Sequence, residues 1–190
     1  TNKRINICDI KNPISPYGIA KLNSYQLVNL YRKVYGLHCM TGIFFNHEST
    51  LRSAEFVIPK IIKSALNSSV NQNFKCTMGD LRITRDWGWA EEYIEAVQLI
   101  AKAKISKDYL ICTGKSHSLQ SVVEKAFKYF HLDWRNHITI DPGLFRPTDI
   151  FKSYGNPREI FKDLQWKSKM KIENIIEKLI EIESQKRLNY

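Results

Sequence analysis

Short apolar runs that favour β-structure alternate along this chain with longer stretches in which apolar residues recur every three or four positions. That alternation confines the fold to the α/β class. From Ser15-Pro16 to Tyr35-Gly36, the residues Tyr17, Ala20, Leu27, Leu30, Tyr31 and Val34 fall at helical spacing, and Gly36 stands where a glycine ends a helix. Residues 37–45 read as a buried strand that runs into a polar loop, 46–50. Helical spacing returns over 56–66, a turn cluster fills 67–73, and 74–78 reads as a strand before Gly79-Asp80. A helix over 90–103 and a strand over 109–113 come next. Ser118 is placed to cap a helix that runs through Phe130, followed by a strand at 138–140 and a loop over 141–147. Asn156-Pro157 starts a short helix, and an amphipathic helix over 172–182 closes the series. Neither an internal repeat nor a dividing linker interrupts it.

With 190 residues, 43% hydrophobic and 12% aromatic, the chain has the material for one ordinary domain with a packed core, which excludes global disorder. No apolar run approaches the ~18 to 20 residues of a membrane-spanning helix, and the first six residues lack the apolar centre of a signal peptide. A soluble, cytoplasmic protein is expected, with no membrane partner. Cys8, Cys39, Cys76 and Cys112 lie more than 30 residues apart from one another, so they read as free thiols in a reducing compartment. His117 and His131 have no carboxylate or cysteine at ligand spacing, and no metal site is expected. The net charge of +10 comes from lysines scattered along the whole chain, without a tight basic block. That pattern fits a solvated surface with local anion binding and argues against nucleic acid. Among only eight glycines, nothing matches a GxGxxG turn or a P-loop, so these residues hold no pyrophosphate cradle of that kind.

Several groupings have chemical potential, each with a plain structural alternative. Tyr17 and Lys21 stand four residues apart, on one helical face. The ammonium can favour a phenolate that acts as general base, or the pair is an exposed tyrosine stacked on a lysine stem. In the loop after the 37–45 strand, Asn46, His47 and Arg52 suit hydroxyl and phosphate groups; alternatively the loop's polar residues only satisfy turn backbone. Arg85, before Asp86-Trp87-Gly88, and Arg146, before Pro147, are each a diphosphate ligand or a structural ion pair. Trp87 and Trp89 either stack on a base or belong to the core.

In order and spacing these elements resemble one family, the GDP-mannose 4,6-dehydratases of the extended short-chain dehydrogenase/reductase group. Ser15-Pro16-Tyr17-Gly18-Ile19-Ala20-Lys21 is similar to its SPYxxAK element, Phe45-Asn46-His47-Glu48-Ser49 to its FNHES loop, and Arg85-Asp86-Trp87-Gly88 to its RDWG element. Cys112-Thr113-Gly114, Phe145-Arg146-Pro147-Thr148-Asp149 and Leu164-Gln165-Trp166 follow the same order, so the resemblance spans nearly the whole chain. Thr50, Ser53, Trp89 and Asp149 depart from the family's usual residues.

The resemblance implies an α/β fold made of the C-terminal part of a Rossmann-like extended short-chain dehydrogenase/reductase, plus a smaller α/β substrate-binding domain. Residues 1–46 would end the nucleotide-binding domain, and 47–190 would be mainly the sugar-nucleotide-binding domain. The implied reaction converts GDP-mannose to GDP-4-keto-6-deoxymannose, with NADP as internal redox cofactor. Tyr17 would be the base for the C4 hydroxyl, and Lys21 would assist it and hold the nicotinamide ribose. His47 and Arg52 would contact NADP. Asn46, Lys60, Arg85, Arg146 and Asp149 match positions that hold the GDP-sugar. The family's glycine-rich turn and its Ser/Thr-x-Glu element fall upstream of Thr1, so the expectation is a C-terminal part that is inactive by itself and homo-oligomeric, a dimer or tetramer, in the full enzyme. Two other readings stay open: a dehydratase or epimerase of another nucleotide sugar, and a non-catalytic GDP-sugar-binding remnant.

Overall fold

The computed structural model describes residues 3–146 and 150–188. In chain order it contains α1 (Pro16–Tyr35), β1 (Gly42–Phe44), β2 (Asn46–Glu48), α2 (Val57–Val70), β3 (Cys76–Met78), β4 (Thr84–Arg85), β5 (Trp87–Trp89) and α3 (Ala90–Ala101). Next come β6 (Tyr109–Ile111), β7 (His117–Ser118), α4 (Leu119–Tyr129), β8 (Ile138–Ile140), β9 (Lys152–Ser153), α5 (Arg158–Leu164) and α6 (Ile172–Leu188). Single 3-10 turns cover Trp134–Asn136 and Pro142–Leu144. The α/β class read from the sequence is the class found.

Among the described residues, four small sheets organise the strands. β1 pairs in parallel with β6, β2 with β5, and β3 with β8, while β4 pairs antiparallel with β7 and parallel with β9. The parallel pairs need helical crossovers, which is why helices follow most strands. The sequence places a loop at 46–50, and here the structure differs. The backbone passes from β1 to β2 through Phe45, whose N–H donates to Ile111 O, and Asn46, His47 and Glu48 then take Trp87, Gly88 and Trp89 as ladder partners. The polar side chains of this segment are thus carried on an extended ladder rather than a turn. The strand expected over 37–45 contracts to its apolar end. The turn cluster expected over 67–73 is a helix as far as Val70, because Ser68 is buried and Arg187 on α6 donates to Asn67 Oδ1, so packing extends the helix past the asparagine.

Two apolar clusters carry the packing. The larger gathers α2, α4 and α6 around Ile58, Ile61, Val122, Phe127, Ile175 and Ile176, and it includes both Trp87 and Trp89, 3% and 1% exposed. That decides the tryptophans for the core; Trp89 also donates through Nε1 to Glu91 and lies beneath the Lys178 ammonium. The smaller cluster packs Tyr93, Ala96 and Ile100 of α3 with Tyr109, Ile111, Ile160 and Trp166. All four cysteines are free thiols, with Cys112 buried. Among the described residues, no helix is long and apolar enough to cross a membrane.

α1 behaves differently. Ser15 caps it by accepting from Gly18 N–H at 3.1 Å, Pro16 opens it, and Gly36 at φ 66° closes it, yet the helix buries none of its residues. Polar contacts secure it instead. Arg32 donates to Asp108 at 2.5 Å and to Cys39 O at 2.8 Å, and Asp108 also receives Thr41 N–H at 3.1 Å. Burial pushes the Asp108 carboxyl up, but the Arg32 hydrogen bond and charge outweigh it and hold the group below the usual carboxylate range. At the other end Lys11 reaches Ile7 O at 2.7 Å and lies over the Tyr25 ring, tying the preceding segment to the helix. That segment meets the far side of the molecule through Ile5 N–H, which donates to Tyr154 O.

Candidate functional site

A cavity of about 780 Å³ opens between the start of α1, the end of β2, α2, the exits of β3 and β4, and the segment around Leu144–Arg146. Its volume lies within the range of small-molecule sites. Tyr17, Asn46, Arg52, Lys60, Arg85 and Arg146 all line it, although they come from residues as far apart as 17 and 146 in the sequence. Six of the residues singled out from the sequence therefore meet in one place.

Tyr17 is 73% exposed at the first turn of α1, and the Lys21 ammonium stands 5.4 Å from its ring centroid, the relation that their spacing requires. Arg85 is half-buried and anchored: Nη1 donates to Ile150 O at 2.5 Å and to Thr84 O at 2.9 Å. Its neighbour Asp86 is fully buried and takes hydrogen bonds from Thr113 N at 3.0 Å, Thr113 Oγ1 at 2.7 Å, Gly114 N at 2.9 Å and Gly155 N at 3.2 Å. Burial pushes that carboxyl up, and the four donors work against it. Asp86 thus gathers the turn after β6 and the Gly155 segment into a rigid base, leaving Arg85 in the cavity wall. Lys60 reaches across from α2 to donate to Thr77 O at 2.7 Å, next to the end of β3.

Two of the expected residues, His47 and Arg52, have protein partners of their own. His47 donates from Nδ1 to Phe45 O at 2.9 Å, and its ring packs 5.2 Å from that of Tyr93, toward the aromatic cluster. Arg52 lines the cavity but is engaged: it donates to His47 O at 2.9 Å, its Nε stands 3.3 Å from Glu48 Oε2, and its guanidinium lies 4.0 Å over the Phe56 ring. Asp149 lies outside the described residues.

Glu48 carries no assigned task in the sequence motif, and the structure places it in the cavity wall, 1% exposed. Burial pushes its carboxyl up to about 7, with the Arg52 charge pulling the other way. The alternation along β2 is the signal that could have found it: an exposed Asn46 and a ladder period of two put Glu48 on the same face as Asn46, and Trp89 as its partner puts that position next to the core. Among the described residues no group of three metal-ligating side chains comes together.

The cavity fits a phosphorylated ligand. It carries cationic side chains on different elements for phosphate oxygens, an amide and a phenol for hydroxyls, and a carboxylate that holds a proton near neutrality.

Comparison with known proteins gives the following matches. The family described as GDP-mannose 4,6 dehydratase matches residues 5–179. GDP-mannose 4,6 dehydratase 1 of Arabidopsis thaliana is 33% identical over 170 residues, covering 90% of this chain and 47% of that protein. The GDP-mannose 4,6 dehydratase of Homo sapiens is 32% identical over 185 residues, covering 88% of this chain and 50% of that protein. The chain thus spans about half the length of the curated relatives it matches. In fold it is similar to a dTDP-glucose 4,6-dehydratase from Bacillus anthracis in complex with NAD, with TM-score 0.84, 18% identity, 96% of this chain and 56% of that one. It is also similar to a UDP-glucose 4-epimerase with UDP-glucose from Thermotoga maritima, with TM-score 0.81, 18% identity, 98% of this chain and 58% of that one.

Proposed function

The chain belongs to the GDP-mannose 4,6-dehydratase family, and from that premise we propose that it carries the sugar-nucleotide site and the tyrosine–lysine pair of an enzyme converting GDP-mannose to GDP-4-keto-6-deoxymannose with NADP. The observation that carries the reading is the convergence of Tyr17, Asn46, Lys60, Arg85 and Arg146 on one cavity. In this reading Arg85 and Arg146 take the diphosphate through their guanidinium forks, and the fixed position of Arg85 orients it. Asn46 takes a sugar hydroxyl. Tyr17 accepts the proton of the C4 hydroxyl, with the Lys21 charge alongside its ring. Asp149 holds the same ligand in this proposal.

The residues present fit the nicotinamide end of such a cofactor only in part. Tyr17 and Lys21 are open on the helix surface, as a ribose contact requires, while His47 faces Tyr93 and Arg52 is engaged with Glu48. No glycine-rich pyrophosphate turn occurs in the 190 residues. When bound, the nicotinamide supplies the oxidation at C4 and the matching reduction at C6, so that net redox is zero. This chain's residues place the sugar, hold the diphosphate and move the C4 proton.

The test is a calorimetric titration of the chain with GDP-mannose, with GDP-glucose as control. Selective binding of GDP-mannose, weakened roughly tenfold by Arg85→Ala and by Arg146→Ala, is the expected outcome. A chain that is folded by circular dichroism and binds neither sugar nucleotide, or binds both alike, would overturn the assignment.

A further inference from the structure

The cavity is lined by cations, and a diphosphate explains them; its carboxylates ask for something else. A carboxylate in a phosphate site repels the phosphate, so it belongs opposite a part of the ligand that offers N–H or O–H donors. Glu48 shares β2 with Asn46, near the sugar. Asp80 does not. It follows β3 by way of Gly79, on a sheet separate from β2, and its side chain is 16% exposed while lining the cavity. Both of its oxygens are fixed by Arg82: Oδ1 accepts the backbone N–H and Nε, each at 2.9 Å, and Oδ2 accepts Nη2 at 2.8 Å.

That grip leaves a specific capacity. A carboxylate offers about four acceptor positions, of which Arg82 fills two on Oδ1 and one on Oδ2. One position on Oδ2 remains for a single donor. Met78 and Leu144 line the same cavity as Asp80, and Gly79 lies so near Leu144 that a side-chain carbon there would stand 3.2 Å from Leu144 O. Apolar side chains and one ionised acceptor in the same cavity suit a nucleobase that presents an N–H at its edge.

We infer that Asp80, positioned by Arg82, reads the base of the bound nucleotide by accepting a hydrogen bond from the 2-amino group of guanine. The inference rests on the reading of the ligand as a GDP-sugar and deepens it. In a nucleoside diphosphate sugar the diphosphate separates the sugar from the base, so with Tyr17, Asn46 and Glu48 at the sugar and Arg85 and Arg146 at the diphosphate, the exit of β3 is left for the nucleoside. Adenine and uracil place no amino group at that edge, and hypoxanthine is guanine without it.

Calorimetry with GDP, IDP, ADP and UDP tests the assignment. The expected result is GDP binding roughly tenfold more tightly than IDP, with ADP and UDP no tighter than IDP. Asp80→Ala should bring GDP down to the level of IDP and leave UDP affinity unchanged, a pattern that a general loss of structure would not produce. Arg82→Ala, which keeps the carboxylate but frees it, should reduce the GDP-to-IDP ratio by less. Equal affinity for GDP and IDP in the wild type overturns the role of Asp80 while the diphosphate reading stands. Retention of the full ratio in Asp80→Ala does the same. Failure of the folded wild-type chain to bind any of the four overturns the GDP-sugar reading together with this one. If Asp80→Ala does not fold, the GDP-to-IDP ratio of the wild type and its change in Arg82→Ala decide the matter.

Discussion

α1 and α6 are the two longest helices among the described residues, and they are held in opposite ways. α6 sinks Ile172, Ile175, Ile176 and Ile180 into the main core, each 2% exposed or less. α1 has an apolar stripe of its own, but Tyr17, Leu27, Leu30, Tyr31 and Val34 are all roughly half exposed or more, and the helix is fixed by Arg32, Asp108 and Lys11. The α2 side of the cavity is therefore backed by non-directional packing, whereas the helix that carries Tyr17 and Lys21 depends on a few directional polar contacts. In the proposed function, position is set strongly at the base of the cavity and more loosely at the helix that carries the tyrosine–lysine pair.

The largest expected effect breaks this comparison directly. Ile176→Ala removes a 2%-exposed side chain from the core and should cost about 2–5 kcal/mol in urea unfolding, since both the transfer energy and the resulting cavity oppose folding. Leu30→Ala on α1 removes a 47%-exposed leucine and should stay within about 0.5 kcal/mol. Equal costs would mean that the α1 face is covered in solution.

A smaller effect sharpens the same point. Asp108→Ala leaves the Arg32 guanidinium and Thr41 N–H without their shared acceptor, a loss of about 1–3 kcal/mol. The loss should be local. Amide hydrogen exchange should speed up in the second half of α1 and remain slow in α6. Uniform acceleration in both helices would show that the polar clasp and the packed core unfold as one unit.

Much of this was legible in the sequence because it is local. Helical spacing located the helices, Ser15 and Gly36 bound α1, and the motifs around Tyr17, Asn46 and Arg85 named residues that do meet in one cavity. What was not legible depends on partners far along the chain. Asn46-His47-Glu48 looks like a turn until Trp87, Gly88 and Trp89 supply the ladder. Asp108 has no visible task until Arg32, 76 residues earlier, reaches it. Spacing also puts an apolar stripe on α1, but periodicity shows only that a helix has an apolar face and not whether anything covers it. The contact of the His47 ring with Tyr93 follows from the strand's pleat, which only the ladder defines.

The smallest expected effect concerns Glu48, where the ligand wall borders the core. Its carboxyl titrates at about 7 in the folded chain, against 4.5 for an ordinary glutamate, because burial opposes its charge more than Arg52 supports it. Folding therefore takes up a proton between these two values. By linkage the contribution of Glu48 to stability is fullest below the ordinary glutamate range and is lost as the pH rises through about 7. Glu48→Gln keeps the shape and removes the titration. The difference in unfolding free energy between wild type and variant should move against the wild type by on the order of 1 kcal/mol between about pH 5.5 and 7, and flatten above about pH 8. A difference of the opposite slope would mean that Arg52 holds Glu48 ionised, so that the cavity wall is fixed, like α1, by an ion pair instead of by packing.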